Sequence, residues 1–172
     1  MPGTPRPDPV RDIDRNRNAL ALAGLRIAVG FLFLIFGEYK VFGTQFTLHG
    51  GFQKWIGEFI EQGAYPFMVP VLKQAVMPHA TAMAFLVAYG ELAIGLALIF
   101  GLLVRTASGF GLVYMLALLF SSNYPGPHAP LWEYFGASLD HSVLALCFLV
   151  FIAGRADSCL SLSEYFRRSR RG

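Results

Sequence analysis

Apolar residues in this chain come in long, nearly unbroken runs rather than in the alternating or three-and-four spacings of a soluble domain. Four runs approach the length of about 20 residues that spans ~30 Å of hydrocarbon. The first is Ala19–Gly37, interrupted by Arg26. The second and third, Ala80–Phe100 and Val104–Phe120, are separated only by a short stretch from Gly101 to Arg105. A single helix over 80–120 would be about twice the bilayer core, so the pattern predicts a break near Gly101. The fourth run, Leu139–Ala153, is short and begins with Asp140 and His141, which predicts a start a turn earlier, near Trp132–Phe135. The expected spans are therefore about 19–37, 80–100, 104–121 and 135–153.

Between the first two runs the period changes. Phe52, Trp55, Ile56, Phe59 and Ile60 recur at three- and four-residue spacings, with Lys54, Glu58 and Glu61 on the other face. That predicts an amphipathic helix over Gly51–Glu61, lying at the membrane surface. A second apolar piece, Phe67–Met77, is bounded by Pro66, Pro70 and Pro78. It is too short to span, and reads as a lid over the bundle or a re-entrant segment. Tyr124, Trp132, Tyr134 and Phe135 lie among prolines in the loop before the fourth run, where an aromatic belt at the interface is expected.

Composition agrees with the pattern. Of 172 residues 55% are apolar and 15% charged, and the mean hydropathy is +0.49. A soluble domain carries roughly 25% charged residues. A cytosolic enzyme, a disordered chain and a nucleic-acid binder are excluded on these grounds, despite the net charge of +3. The positive charge is instead a topology signal. Arg6, Arg11, Arg15 and Arg17 precede the first run, Arg105 lies between the second and third, and Arg155, Arg167, Arg168, Arg170 and Arg171 follow the fourth. The opposite side has only Lys40, Lys54 and Lys73. Both termini are therefore expected in the cytoplasm. The fold class is an all-α integral membrane four-helix bundle, with polar tails at 1–18 and 155–172 around a transmembrane domain at 19–154. The first run leads into Gly37-Glu38-Tyr39-Lys40 rather than a small-residue cleavage site, so it reads as a retained span. Cys147 falls within the fourth run and Cys159 in the tail, so no structural disulfide is expected.

Charges within the bilayer cost about 3 kcal/mol each on insertion scales, so each needs a reason. Arg26 and Glu91 fall at depths of about 10 and 15 Å from the expected inner ends of their helices. Arg26, Gly30, Phe33, Gly37 and Lys40 share one face; Ala84, Ala88, Glu91 and Gly95 share another. Small residues let helices approach, so an Arg26–Glu91 ion pair is predicted between them. The alternatives are Arg26 reaching the inner phosphates and a protonated, hydrogen-bonded Glu91. Tyr114 on the third helix can reach the same core. At the outer end Lys40–Asp140 is the expected pair, with His141 the group able to titrate near neutral pH. No C-x-x-C, H-x-x-x-H or E-x-x-H pattern is present, so no metal site is expected. The first three runs hold no histidine, which rules out a haem held between two histidines there.

Arg26, then Gly37-Glu38-Tyr39-Lys40, then Glu91 followed by Gly95, Gly101 and Arg105, resembles the DoxX family of small four-helix membrane proteins. The resemblance covers about Leu20 to Met115. It implies a protein of the bacterial or archaeal cytoplasmic membrane, in a group that includes a membrane subunit of a thiosulfate:quinone oxidoreductase and relatives linked to thiol and oxidative stress. Arg26, Lys40, Glu91 and Arg105 are the positions that match the family's polar residues.

Three functions follow as expectations. The first is a quinone-proximal subunit or accessory of a membrane oxidoreductase, bound to a peripheral or soluble redox partner. Arg26, Tyr114, Lys40 and His141 would contact the quinone, and Glu91 would accept a proton. The second is a non-catalytic anchor, itself a candidate homo-oligomer, whose buried charges only specify packing, with Arg105 and Asp140 as structural polar groups. The third, a proton or small-solute carrier, is disfavoured by the lack of an inverted repeat.

Overall fold

The computed structural model describes residues 9–169, all-helical with no strand among them. Arg6, Arg170 and Arg171, which entered the charge asymmetry, lie outside the described residues. The helices are α1 (Pro9–Phe42), α2 (Thr44–Thr47), α3 (Gly51–Gln62), α4 (Met68–Val71), α5 (Ala80–Phe100), α6 (Val104–Ser121), α7 (Leu131–Gly136), α8 (Leu139–Ala153) and α9 (Leu162–Ser169). Three stretches are long and apolar enough to cross a membrane: Asn16–Phe42, Met68–Phe100 and Val104–Ser121. The fourth apolar helix, α8, is shorter.

The bundle is apolar on its outside. Phe31, Leu32, Ile35 and Phe36 on α1, Leu86 on α5, Phe110 and Val113 on α6, and Leu146 and Leu149 on α8 all face outward. The inward positions of α5 are small instead: Ala84, Ala88 and Gly95. This is the packing of helices in lipid, where close backbone approach replaces hydrophobic burial as the organising force. α1 and α5 run antiparallel on that basis. A Cβ on Gly37 would lie 2.6 Å from the Leu92 nitrogen, and one on Gly95 2.7 Å from the Leu34 nitrogen. On the other side of the bundle Gly111 of α6 accommodates the ring of Phe148 from α8. Phe33, Leu98, Met115, Phe148 and Phe151 fill the centre.

Four features differ from the sequence-based expectation. First, α1 extends beyond 19–37 at both ends, because neither Asn16–Asn18 nor Glu38–Lys40 contains a helix breaker. Second, Phe67–Met77 is neither a free lid nor a re-entrant loop. It forms α4, a π-helical turn at Leu72–Val76 and a 3₁₀ turn at Met77–His79, continuous with α5. Each proline removes an N–H from an α-ladder, and the π and 3₁₀ turns re-space the remaining bonds without ending the helix. Third, α3 presents Phe52 and Ile56 to protein rather than to a lipid surface, packing on Leu72, Ala80 and Ala84. Fourth, α8 begins at Leu139 rather than near 135. Buried Ser138 leaves helical geometry (φ −129°, ψ 60°), and its hydroxyl accepts a bond from Asn123 Nδ2 at 2.9 Å.

The aromatic loop residues divide. Tyr134 packs with Tyr65 and Tyr124, whereas Trp132 and Phe135 are exposed. Burial raises the Tyr65 hydroxyl above its ordinary pKa, so it remains a donor to the Tyr134 carbonyl at 3.0 Å.

Candidate functional site

The buried charges separate to opposite ends of the bundle. Arg26 is fully buried beside the α5–α6 turn, where Gly101 takes the left-handed conformation (φ 68°). Its Nη1 donates to the Ala156 carbonyl at 3.0 Å and its Nη2 to the Leu160 carbonyl at 2.7 Å. Ser163 Oγ donates to the Gly101 carbonyl at 2.7 Å. The guanidinium thus ties the segment after α8 across this end. Its planar, rigid guanidinium reaches both loop carbonyls at once.

The predicted Arg26–Glu91 pair does not form. The glycine contacts set Gly37 opposite Leu92 and bring Arg26 to Gly101. The eleven residues from Arg26 to Gly37 correspond to about 16 Å along the axis at 1.5 Å per residue. Levelling the first and second helices at Ala19 and Gly101 misplaces Arg26 by two turns; the level of Gly101 is Arg26 itself.

Glu91 instead meets Lys40, at the end of the glycine-lined face of α1. Lys40 Nζ donates to Glu91 Oε1 in a close ion pair. The Tyr114 hydroxyl of α6 donates to the same oxygen at 2.5 Å. Three helices therefore converge on one carboxylate that is 5% exposed. The Lys40 ammonium also lies 5.2 Å from the centre of the Phe46 ring, a cation–π arrangement.

This triad borders a cavity of about 660 Å³. Leu32, Phe33, Ile35, Phe36, Tyr39 and Lys40 of α1 form one wall; Tyr114, Met115 and Leu118 of α6 and Asp140, His141 and Leu144 of α8 form the other. Glu91 and Val87 close the back, and Phe46 with Phe52, Trp55, Ile56 and Phe59 of α3 covers the end. Leu32, Ile35 and Phe36 are exposed on the bundle's lateral surface, so the space communicates with the lipid-facing side. A deep apolar slot with a few convergent polar groups is the usual form of a small-molecule site.

The expected Lys40–Asp140 pair is absent. Lys40 is drawn to the buried Glu91, while Asp140, 72% exposed in its side chain, lies 3.5 Å from His141 Nε2. Lys40, Asp140 and His141 nonetheless all line the cavity. Among the described residues, the buried side-chain atoms without a hydrogen-bond partner are Glu91 Oε2 and His141 Nδ1 at this end, and Arg26 Nε, Gln53 Oε1 and Ser108 Oγ elsewhere. Arg105 is exposed and remote from this cavity. Of the predicted site residues, Glu91, Lys40, Tyr114, His141 and Asp140 come together; Arg26 and Arg105 do not. Sequence reasoning missed Phe46 and Trp55 as wall residues. The spacing of Trp55 with Phe52, Ile56 and Phe59 gave the helix, but it could not distinguish a face turned to lipid from one turned to a cavity.

No group of histidine, cysteine and carboxylate side chains able to hold a metal occurs among the described residues, and Cys147 and Cys159 are free thiols. The model of the DoxX family matches residues 21–123, more than half of the chain. The chain belongs to the DoxX family. The matched region of this DoxX protein contains Arg26, Lys40, Glu91 and Tyr114, whereas Asp140 and His141 lie beyond it. Neither a curated protein sequence nor a solved structure matches the chain. With its three long apolar helices, this DoxX protein is a multi-pass membrane protein.

Proposed function

We propose that this DoxX protein is a quinone-proximal subunit or accessory of a membrane oxidoreductase of thiol, sulfur or oxidative-stress chemistry. In this reading α8 is the fourth span, and both termini face the cytoplasm. The observation that carries it is the apolar cavity whose polar wall is a carboxylate held by Lys40 and Tyr114. A quinone, when bound, carries two electrons and two protons between a partner's redox centre and the bilayer. The protein's own groups serve the proton. Lys40 and Tyr114 both bond Glu91 Oε1 and fix the orientation of the carboxyl group, and Oε2, without a partner, is the oxygen that would accept a proton. His141 beside exposed Asp140 provides a second polar group lining the same cavity. Wall side chains around Phe33 and Phe36 exclude water from a flat ring. The exposed lateral residues admit it from lipid.

Arg26 favours the second reading, a scaffold, because its bonds go to backbone carbonyls alone among the described contacts. Purification from native membranes in mild detergent separates the two. Mass spectrometry should find an oxidoreductase partner and a stoichiometric extracted quinone, and Glu91→Gln should fold normally yet abolish activity of the complex. A quinone-free homo-oligomer, or an active Glu91→Gln complex, would leave the scaffold role.

A further inference from the structure

We infer that α9 and the α5–α6 turn form a docking surface for the anionic head-group layer of the bilayer. The helix lengths show where hydrocarbon ends. α6 has 18 residues, or about 27 Å at 1.5 Å per residue, close to the ~30 Å of the bilayer core. Its start at Val104, the end of α5 at Phe100 and the end of α8 at Ala153 therefore lie at one membrane surface. At that level the chain is fastened. Ser163 Oγ donates to the Gly101 carbonyl, and Arg26 Nη2 donates to the Leu160 carbonyl. The Ser161 hydroxyl accepts from the Glu164 N–H at 3.1 Å, an N-cap that starts α9 at this point.

What α9 presents there is apolar. Leu162, Tyr165 and Phe166 recur at three and four residues, which puts them on one face, and all three are exposed. The Tyr165 and Phe166 rings meet edge to face, 5.8 Å between centres. Leu160 before α9, and Leu102 and Leu103 in the turn, are exposed as well. The charge of the segment fits an acidic surface. After α8 the sequence holds Arg155, Arg167, Arg168, Arg170 and Arg171 against Asp157 and Glu164. Arg155 is exposed, as is Arg105 in the first turn of α6. Aromatic and aliphatic side chains beside arginines suit a helix lying in the interface, where acidic lipid attracts each cation. An eight-residue helix would bind weakly by itself. Its two tethers make the contact intramolecular, so a weak surface suffices. The bilayer already lies at the level of this patch, which favours it over a soluble partner.

Tyr165→Trp, in a chain carrying Trp55→Phe and Trp132→Phe, places a single tryptophan on this face. In nanodiscs of phosphatidylcholine mixed with phosphatidylglycerol, its emission should shift to the blue. Lipid brominated high on the acyl chain should quench it about twofold or more. Phosphatidylcholine alone should remove most of that quenching. So should Arg167→Gln, Arg168→Gln, Arg170→Gln and Arg171→Gln together, in the mixed lipid. Phe166→Trp in the same background is the second probe, with the same outcomes expected, should Tyr165→Trp fail to fold. Solvent-like, unquenched emission in every lipid would overturn the inference, as would protection that appears only when a soluble partner is added. Quenching indifferent to phosphatidylglycerol and to the arginines would overturn it too, because the face would then lie in lipid without recognising its charge.

Discussion

The two ends of the bundle each bury an ion, and they treat it differently. At the end where α5 turns into α6, Arg26 is held through Nη1 and Nη2 by the carbonyls of Ala156 and Leu160, its buried Nε without a partner among the described residues, in a place packed tightly enough that Gly101 contacts both Ser161 and the guanidinium. At the other end Glu91 is completed by two side chains, Lys40 and Tyr114, and borders open space. A charge held by backbone carbonyls cannot change its partners without unmaking the fold. A charge satisfied by side chains beside a cavity can exchange partners with a ligand. Burial alone did not distinguish them; what holds each ion, backbone or side chain, does.

That contrast can be broken experimentally. Lys40→Met should have the largest effect, because it leaves Glu91 as an uncompensated buried charge, a loss of about 3–5 kcal/mol. Proton uptake by Glu91 would lessen it, so Lys40→Met with Glu91→Gln should recover most of the loss in thermal unfolding. Arg26→Ala should cost about 3 kcal/mol, since two bonds to a charged donor disappear and two carbonyls are stranded. It should also expose residues 155–161 to limited proteolysis, whereas Lys40→Met should leave that segment protected. If both variants loosen the tail equally, the two ends are not independent.

Gly95→Leu sharpens the comparison by attacking the contact that sets the register between the two ions. Its side chain would meet the α1 backbone near Leu34, and the expected loss is about 1–3 kcal/mol. Tyr114→Phe should have the smallest effect on stability, about 1 kcal/mol or less, because Lys40 still holds Glu91 and hydrogen bonds in bilayers are worth little on average. Circular dichroism melts in one detergent would rank all four variants.

Much of this was legible in the sequence. The apolar runs gave the long helices, and the spacing of Gly30, Gly37 and Lys40 identified the packed face of α1. Ala84, Ala88 and Gly95 did the same for α5. The partners of the ions were not legible, because depth was measured from where each apolar run begins. α1 continues through polar residues before Ala19, so the apolar boundary and the packing level are different points on the helix. The small residues held the correct register: Gly37 belongs against Leu92, which brings Lys40, and not Arg26, to Glu91. Nor could spacing show that Trp55 faces a cavity, since the answer depends on α6 and α8, remote in sequence.

The central claim is that Glu91 serves a ligand while Arg26 serves the fold. Quinone extracted per mole of purified protein, compared among wild type, Glu91→Gln and Arg26→Lys at matched folded fraction, tests it most directly. Near-stoichiometric quinone is expected in wild type and Arg26→Lys, with at least a fivefold loss in Glu91→Gln. Equal quinone in Glu91→Gln and wild type, or a selective loss in Arg26→Lys, would contradict it.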